Sequence, residues 1–174
     1  MLFAVFLAVK IVLLNHKVLS VQKPLRQRLY GTLIIYYTMF VAYRRLRDRT
    51  NATAYGRKLL NILRECDEIV EEGALSIELA QIYWSQSKYA EAKELYERAI
   101  HVMQKTGNRR GEAVAYGNLG NVFYSLGEYV KAKEYYEKAL AISMEIGDRD
   151  GEGTWYGNLG SVFCSLGEYV KAKE

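Results

Sequence analysis

The chain has one proline, two histidines and two cysteines among 174 residues, and each shortage removes a class of protein. A single proline, Pro24, together with 50% apolar content excludes a disordered or collagen-like chain. Cys66 and Cys164 lie far apart and match no C-x-x-C or zinc-ligand spacing, so neither a disulfide framework nor a thiolate metal site is expected. Two unpaired thiols favour a reducing compartment. His16 and His101 have no serine or cysteine constellation around them, and His101 reads as a helix-surface residue. Gly-rich phosphate loops and metal-ligand clusters are absent too. No catalytic residue, cofactor, metal or small-molecule substrate is expected, and the chain reads as a non-enzyme.

Acidic residues are scarce at one end only. Residues 1–49 carry nine Lys/Arg against Asp48, whereas residues 50–174 carry fifteen against nineteen acids. The formal charge of +4 is therefore local to the N-terminus. Phosphate binding needs a basic patch on the recognition surface, so the rest of the chain is not expected to bind nucleic acid.

Long hydrophobic runs are missing as well. A membrane-crossing helix needs about 20 apolar residues. "MLFAVFLAVKIVLLN" and "LYGTLIIYYTMFVAY" each hold fifteen, and Lys10 interrupts the first. Three readings stay open: Leu33 to Leu46 as a buried first helix, a membrane anchor through residues 1–43, or a signal peptide with 2–14 as its apolar stretch and Val18-Leu19-Ser20 as its cleavage site. The anchor would be stretched by basic residues reaching the headgroups. Asn51-Ala52-Thr53 is a formal glycosylation sequon, which matters only if this region enters the secretory lumen.

Repetition is what the sequence has in plenty. "YGNLGNVFYSLGEYVKAKE" at Tyr116–Glu134 recurs as "YGNLGSVFCSLGEYVKAKE" at Tyr156–Glu174, differing only in Asn121 to Ser161 and Tyr124 to Cys164. The offset of 40 residues marks stacked repeats. A third, divergent copy starts at Ser76, where Tyr83 aligns with Phe123 and Phe163, Ala92 with Ala132 and Ala172, Tyr96 with Tyr136, and Ala99 with Ala139.

Leu119, Val122, Phe123 and Leu126 make one helical face, and Tyr129, Ala132, Tyr136 and Ala139 the next, so each unit is a pair of amphipathic helices. Gly127 ends the first helix, Gly107 and Gly147 end the second, and Asn108 or Asp148 then starts the following one. Ala80, Gly120 and Gly160 on first helices, with Ala92, Ala132 and Ala172 on second ones, let backbones approach while Phe123 and Tyr136 fill the remaining space. Cys164 reads as a packing replacement for Tyr124.

Leu119-Gly120, Phe123, Ala132, Tyr136 and Ala139 resemble the pattern of the tetratricopeptide repeat, over about residues 54–174. The resemblance implies an all-α, right-handed solenoid of antiparallel helix pairs, here with an N-terminal hydrophobic helical segment. The period of 40 exceeds the usual repeat of about 34. It is similar to that of the Leu-Gly-Asn repeat modulators of G-protein signalling and of kinesin light chains. The expected divisions are a hydrophobic and basic segment over 1–49, the second helix of a degenerate repeat over 50–72, units over 73–112 and 113–152, and a truncated unit over 153–174. Glu174 falls inside a second helix, so the chain reads as a fragment of a longer array.

The first helices of such an array line a concave groove suited to a peptide. Asn118 and Asn158 stand just before Leu-Gly, with Asn121, Ser161 and Gln81 just after it and Glu78 in the earliest clear unit. An amide offers both a donor and an acceptor to an extended backbone. The resemblance gives asparagines at the Asn118 place the role of ligand clamps. It also implies an arginine four residues earlier for acidic ligands, where this chain has Val114 and Thr154. Tyr116 and Tyr156 read as core, and Arg109, Arg110 and Arg149 as solvated turn residues.

The expected function is a cytoplasmic scaffold or adaptor binding a protein or peptide partner, with G-protein signalling or spindle orientation as the nearest analogy. A membrane-anchored receptor and the docking region of a larger enzyme are the alternatives.

Overall fold

The structure, a computed structural model, describes residues 23–167, with side chains described from Gly31 onward. Among the described residues it is entirely helical: α1 (Lys23–Arg45), α2 (Arg49–Glu65), α3 (Ile69–Ser85), α4 (Tyr89–Thr106), α5 (Arg109–Ser125), α6 (Tyr129–Ile146) and α7 (Arg149–Ser165). The first helices of the repeats begin at Ile69, Arg109 and Arg149, four residues ahead of boundaries at 73, 113 and 153. The second helices extend to Thr106 and Ile146, so both arms contribute to the long period.

Every turn uses one device. Arg47, Asp67, Ser87, Gly107, Gly127, Gly147 and Gly167 take positive φ, at intervals of 20 residues. The following N–H then reaches back across the helix end: Lys88 N donates to Tyr83 O at 3.0 Å, and Asn108, Glu128 and Asp148 N donate to Met103, Phe123 and Ser143 O at 2.9 Å. This satisfies carbonyls that a helix end leaves without an intrahelical donor. Asp48, Asn108 and Asp148 close the next helix start, their side chains accepting from the N–H of Asn51, Gly111 and Gly151.

The chain divides into two compact units, Met1–Cys66 and Asp67–Glu174. In the first, α1 and α2 form an antiparallel hairpin. Tyr55 of α2 stacks on Tyr43 of α1 with centroids 5.5 Å apart and tilts against Tyr36 at 5.9 Å, while Lys58 Nζ lies 5.1 Å from the Tyr55 ring centre. Leu33 and Phe40 are buried, but Ile34 and Ile35 on the same helix are exposed. None of the helices among the described residues is long and apolar enough to cross a membrane. The signal-peptide stretch at 2–14 lies outside the described residues. Asn51 sits in the first turn of α2 with its Nδ2 donating to Asp48 Oδ2 at 2.7 Å. Thr53 is buried there and donates to Thr50 O. The sequon is thus folded into a helix, with its threonine inaccessible.

In the second unit, α3 to α7 stack as a right-handed solenoid, each helix packed on the next and each first helix also on the first helix of its neighbour. Leu79, Ala80, Ala92, Tyr96, Ala99, Leu119, Ala132, Tyr136, Ala139 and Val162 are buried. Small residues make the close approach that the sequence suggests: a Cβ on Gly120 would lie 2.7 Å from Tyr136 Cε1. Burial pushes the Tyr136 hydroxyl up to about 12 and the Tyr96 hydroxyl higher still, since neither site solvates a phenolate.

Candidate functional site

The first helices α3, α5 and α7 lie side by side in the second unit. Two side-chain bridges tie their C-terminal ends together. Trp84 Nε1 donates to Ser125 Oγ at 3.1 Å, and one repeat later the Tyr124 hydroxyl pairs with Ser165 Oγ at 3.0 Å. Tyr124 thus bridges two repeats, and Cys164, at the corresponding place on the last described helix, is exposed.

The six candidate positions fall at two registers, three residues apart, on these three helices: Glu78 and Gln81 on α3, Asn118 and Asn121 on α5, Asn158 and Ser161 on α7. They are not equivalent in environment. The Tyr136 hydroxyl donates to Asn121 Oδ1 at 2.7 Å, so Asn121 is held toward its own hairpin. Its Nδ2 donates to Asn118 Oδ1 over a long 3.4 Å. That chain of bonds orients Asn118 and leaves its Nδ2 without a hydrogen bond among the described residues. The half-buried Asn158 side chain makes no hydrogen bond to another described residue, and Ser161 turns its hydroxyl to Gly157 O at 3.1 Å. Gln81 is exposed and Glu78 half-buried.

The outward positions of α5 and α7 lack formal charge. Val114, Asn118, Asn121 and Ser125 on α5 match Thr154, Asn158, Ser161 and Ser165 on α7. Charges gather on the second helices instead, where Lys93 meets Glu97 at 3.8 Å and Lys133 meets Glu137 at 3.7 Å. The Glu134–Lys138 spacing does not form the pair it suggests. Lys138 Nζ instead lies 4.9 Å from the Tyr135 ring centre and 5.7 Å from that of Tyr116. Tyr116 also accepts a hydrogen bond from Gln104 Nε2 at 3.1 Å, which makes it a packing residue, whereas Tyr156 is exposed.

The turn arginines are engaged within the fold. Arg109 Nη1 donates to Glu112 at 2.6 Å and its Nη2 to Glu145, Arg110 reaches Asp148 at 3.3 Å, and Arg149 reaches Glu152 at 2.9 Å. The Arg110 and Arg149 side chains nevertheless stay 70% and 87% exposed and Arg109 40%, so they are solvated as the sequence suggests. A buried glutamate in the first turn of α3 and of α5 went unread in the sequence. Glu72 accepts a two-pronged contact from Arg98 at 2.9 and 3.1 Å, and Glu112 accepts from Gln104 at 3.0 Å. Its signal was available: Glu72, Glu112 and Glu152 recur at the repeat period. No group of His, Cys, Asp and Glu among the described residues could hold a metal ion.

A family model described as tetratricopeptide repeat matches residues 71–145 and 111–174. The chain belongs to the tetratricopeptide repeat family. Among solved structures, this tetratricopeptide repeat chain is similar to BtubC (BKLC) from P. vanneervenii, at 24% identity and a TM-score of 0.74, covering 81% of this chain and 59% of that one. It is similar to the apo form of RapI at 18% identity and a TM-score of 0.75, over 97% of this chain and 60% of that one. A putative kinesin light chain of Podosopora anserina with nearly identical repeats matches at 20% identity and a TM-score of 0.67, over 93% and 76% of the two chains. The tetratricopeptide repeat chain thus spans 59% of the BtubC chain, and these likenesses establish its fold. No curated protein matches it.

Proposed function

We propose that this chain is a non-catalytic scaffold that binds a peptide segment of a partner protein along the row α3, α5 and α7. The observation that carries the reading is the uncharged outward face of α5 and α7, with Asn118 and Asn158 presenting amide groups at one register of these neighbouring helices, where α3 has Glu78. Burying a charged ligand side chain against such a surface costs free energy that nothing there returns. An extended backbone, by contrast, finds donors and acceptors in sequence-tolerant amides. The ligand is therefore an uncharged stretch read mainly through its main chain.

A place in G-protein signalling or spindle orientation rests on the family resemblance, and Val114 and Thr154 weigh against the acidic peptides that resemblance brings with it. A cytoplasmic location is part of the same proposal.

Random twelve-residue peptides displayed on phage and selected on the intact chain supply a probe. Replacing Asn118 and Asn158 together with alanine removes two hydrogen bonds of about 1 kcal/mol each, so affinity should fall about tenfold or more at unchanged helicity. Affinity equal to wild type in the double variant contradicts the reading.

A further inference from the structure

The two joints between successive hairpins of the second unit share a backbone arrangement and fill it differently. Where α7 meets the α5/α6 hairpin, the Trp155 indole covers Gly117 so closely that a Cβ there would come within 2.2 Å of Cη2 and Cζ3. Trp155 is buried, and its Nε1 donates to Ser143 Oγ of α6 at 3.0 Å. Forty residues earlier, where α5 meets α3/α4, the same three places hold Ile77, Met103 and Ala115. Ala115 and Met103 are buried there.

The equivalence is geometric as well as numerical. A Cβ on Gly111 would meet Met103 Sδ at 2.6 Å, and a Cβ on Gly151 would meet Ser143 Oγ at the same 2.6 Å. One joint is large, large and small; the other is small, small and large. The Trp84–Ser125 and Tyr124–Ser165 bridges join the same places at each joint, whereas the Gln104 contacts with Glu112 and Tyr116 at the first joint have no counterpart at the second, where Met144 stands at the Gln104 place. A chain whose repeats are this alike can pair out of order, by skipping a hairpin or by exchanging one with a second molecule.

We propose that Gly117, Ser143 and Trp155 form a steric key that fixes the order of the hairpins. The helix carrying Trp155 docks on α5/α6 alone. On α3/α4 the indole would meet Ile77 and Met103, which occupy the volume it needs, and its N–H would face a thioether in place of a hydroxyl. Ala115 placed over Gly117 and Ser143 would leave a void that the surrounding side chains fill poorly.

Making the joints alike tests the key. Gly117→Ile, Ser143→Met and Trp155→Ala together rebuild the second joint as a copy of the first, and Ile77→Gly, Met103→Ser and Ala115→Trp do the reverse. The wild-type chain and both triple variants are unfolded in guanidinium and refolded at rising protein concentration. Helicity is then measured together with mass by light scattering after size exclusion. The key predicts wild-type helicity in both triples and a several-fold larger fraction of higher-mass species at each concentration. If only one triple folds, its mass distribution decides. Distributions equal to wild type overturn the proposal, and so does failure of both triples to regain helicity, since the two residue sets would then not be interchangeable.

Discussion

The α3/α4 and α5/α6 hairpins trace the same path with different chemistry. In the first, Ser87 takes the left-handed turn position that Gly127 takes in the second. Ser76 is fully buried in the first, and Arg98 makes its two-pronged contact with Glu72. In the second, Tyr116 stands at the Ser76 place, Lys138 lies over its ring, and Glu112 draws on Gln104 and Arg109 instead. Ile77 and Met103 become Gly117 and Ser143. Leucine at 79 and 119, alanine at 92 and 132, tyrosine at 96 and 136, and alanine at 99 and 139 are unchanged. Two hairpins can therefore diverge at most contacts while this small set holds backbone spacing and period. Partners change together, so a lost contact at one place reappears in altered form nearby.

The largest loss is expected at Trp155, which α7 sets on the α5/α6 hairpin at the place where Ala115 of α5 meets α3/α4. Trp155→Ala opens a cavity over Gly117 and removes the donor to Ser143, and should cost about 3–5 kcal/mol in guanidinium unfolding monitored by circular dichroism. A loss under about 1 kcal/mol would mean that the second joint does not depend on its own filling.

Ser87→Gly should stabilise by about 1 kcal/mol, because a left-handed residue with a Cβ carries a strain of that order, and Gly127→Ser should destabilise by a similar amount. Thermal unfolding of the two variants should move in opposite directions. Movement in the same direction would show that the turns are not equivalent.

Much of the fold was legible because its signals are local. Gly107, Gly127 and Gly147 punctuate helices on their own, and the leucine, alanine and tyrosine faces recur at a period that can be counted. Arg47, Asp67 and Ser87 were not legible as left-handed positions, since each carries a Cβ and none marks that conformation as glycine does; the spacing of 20 residues from the glycines was the available sign. Contacts between repeats were harder still. Aligning repeats shows which residues are equivalent, but it does not show that Trp155 meets Gly117 rather than its own counterpart. The same limit applies to the candidate row: the register of Asn118 and Asn158 could be read from the chain, whereas the hydrogen bond that draws Asn121 toward Tyr136 required the folded hairpin.

In the proposed complex the uncharged faces of α5 and α7, and not the charged faces of α4 and α6, receive the partner. Side-chain amide and backbone resonances followed by NMR during titration with a selected peptide test it most directly. Shifts are expected to centre on the Asn118 and Asn158 side-chain amides and on Ser125 and Ser165. Shifts centred on the Lys93–Glu97 and Lys133–Glu137 faces, with Asn118 and Asn158 unmoved, would contradict it.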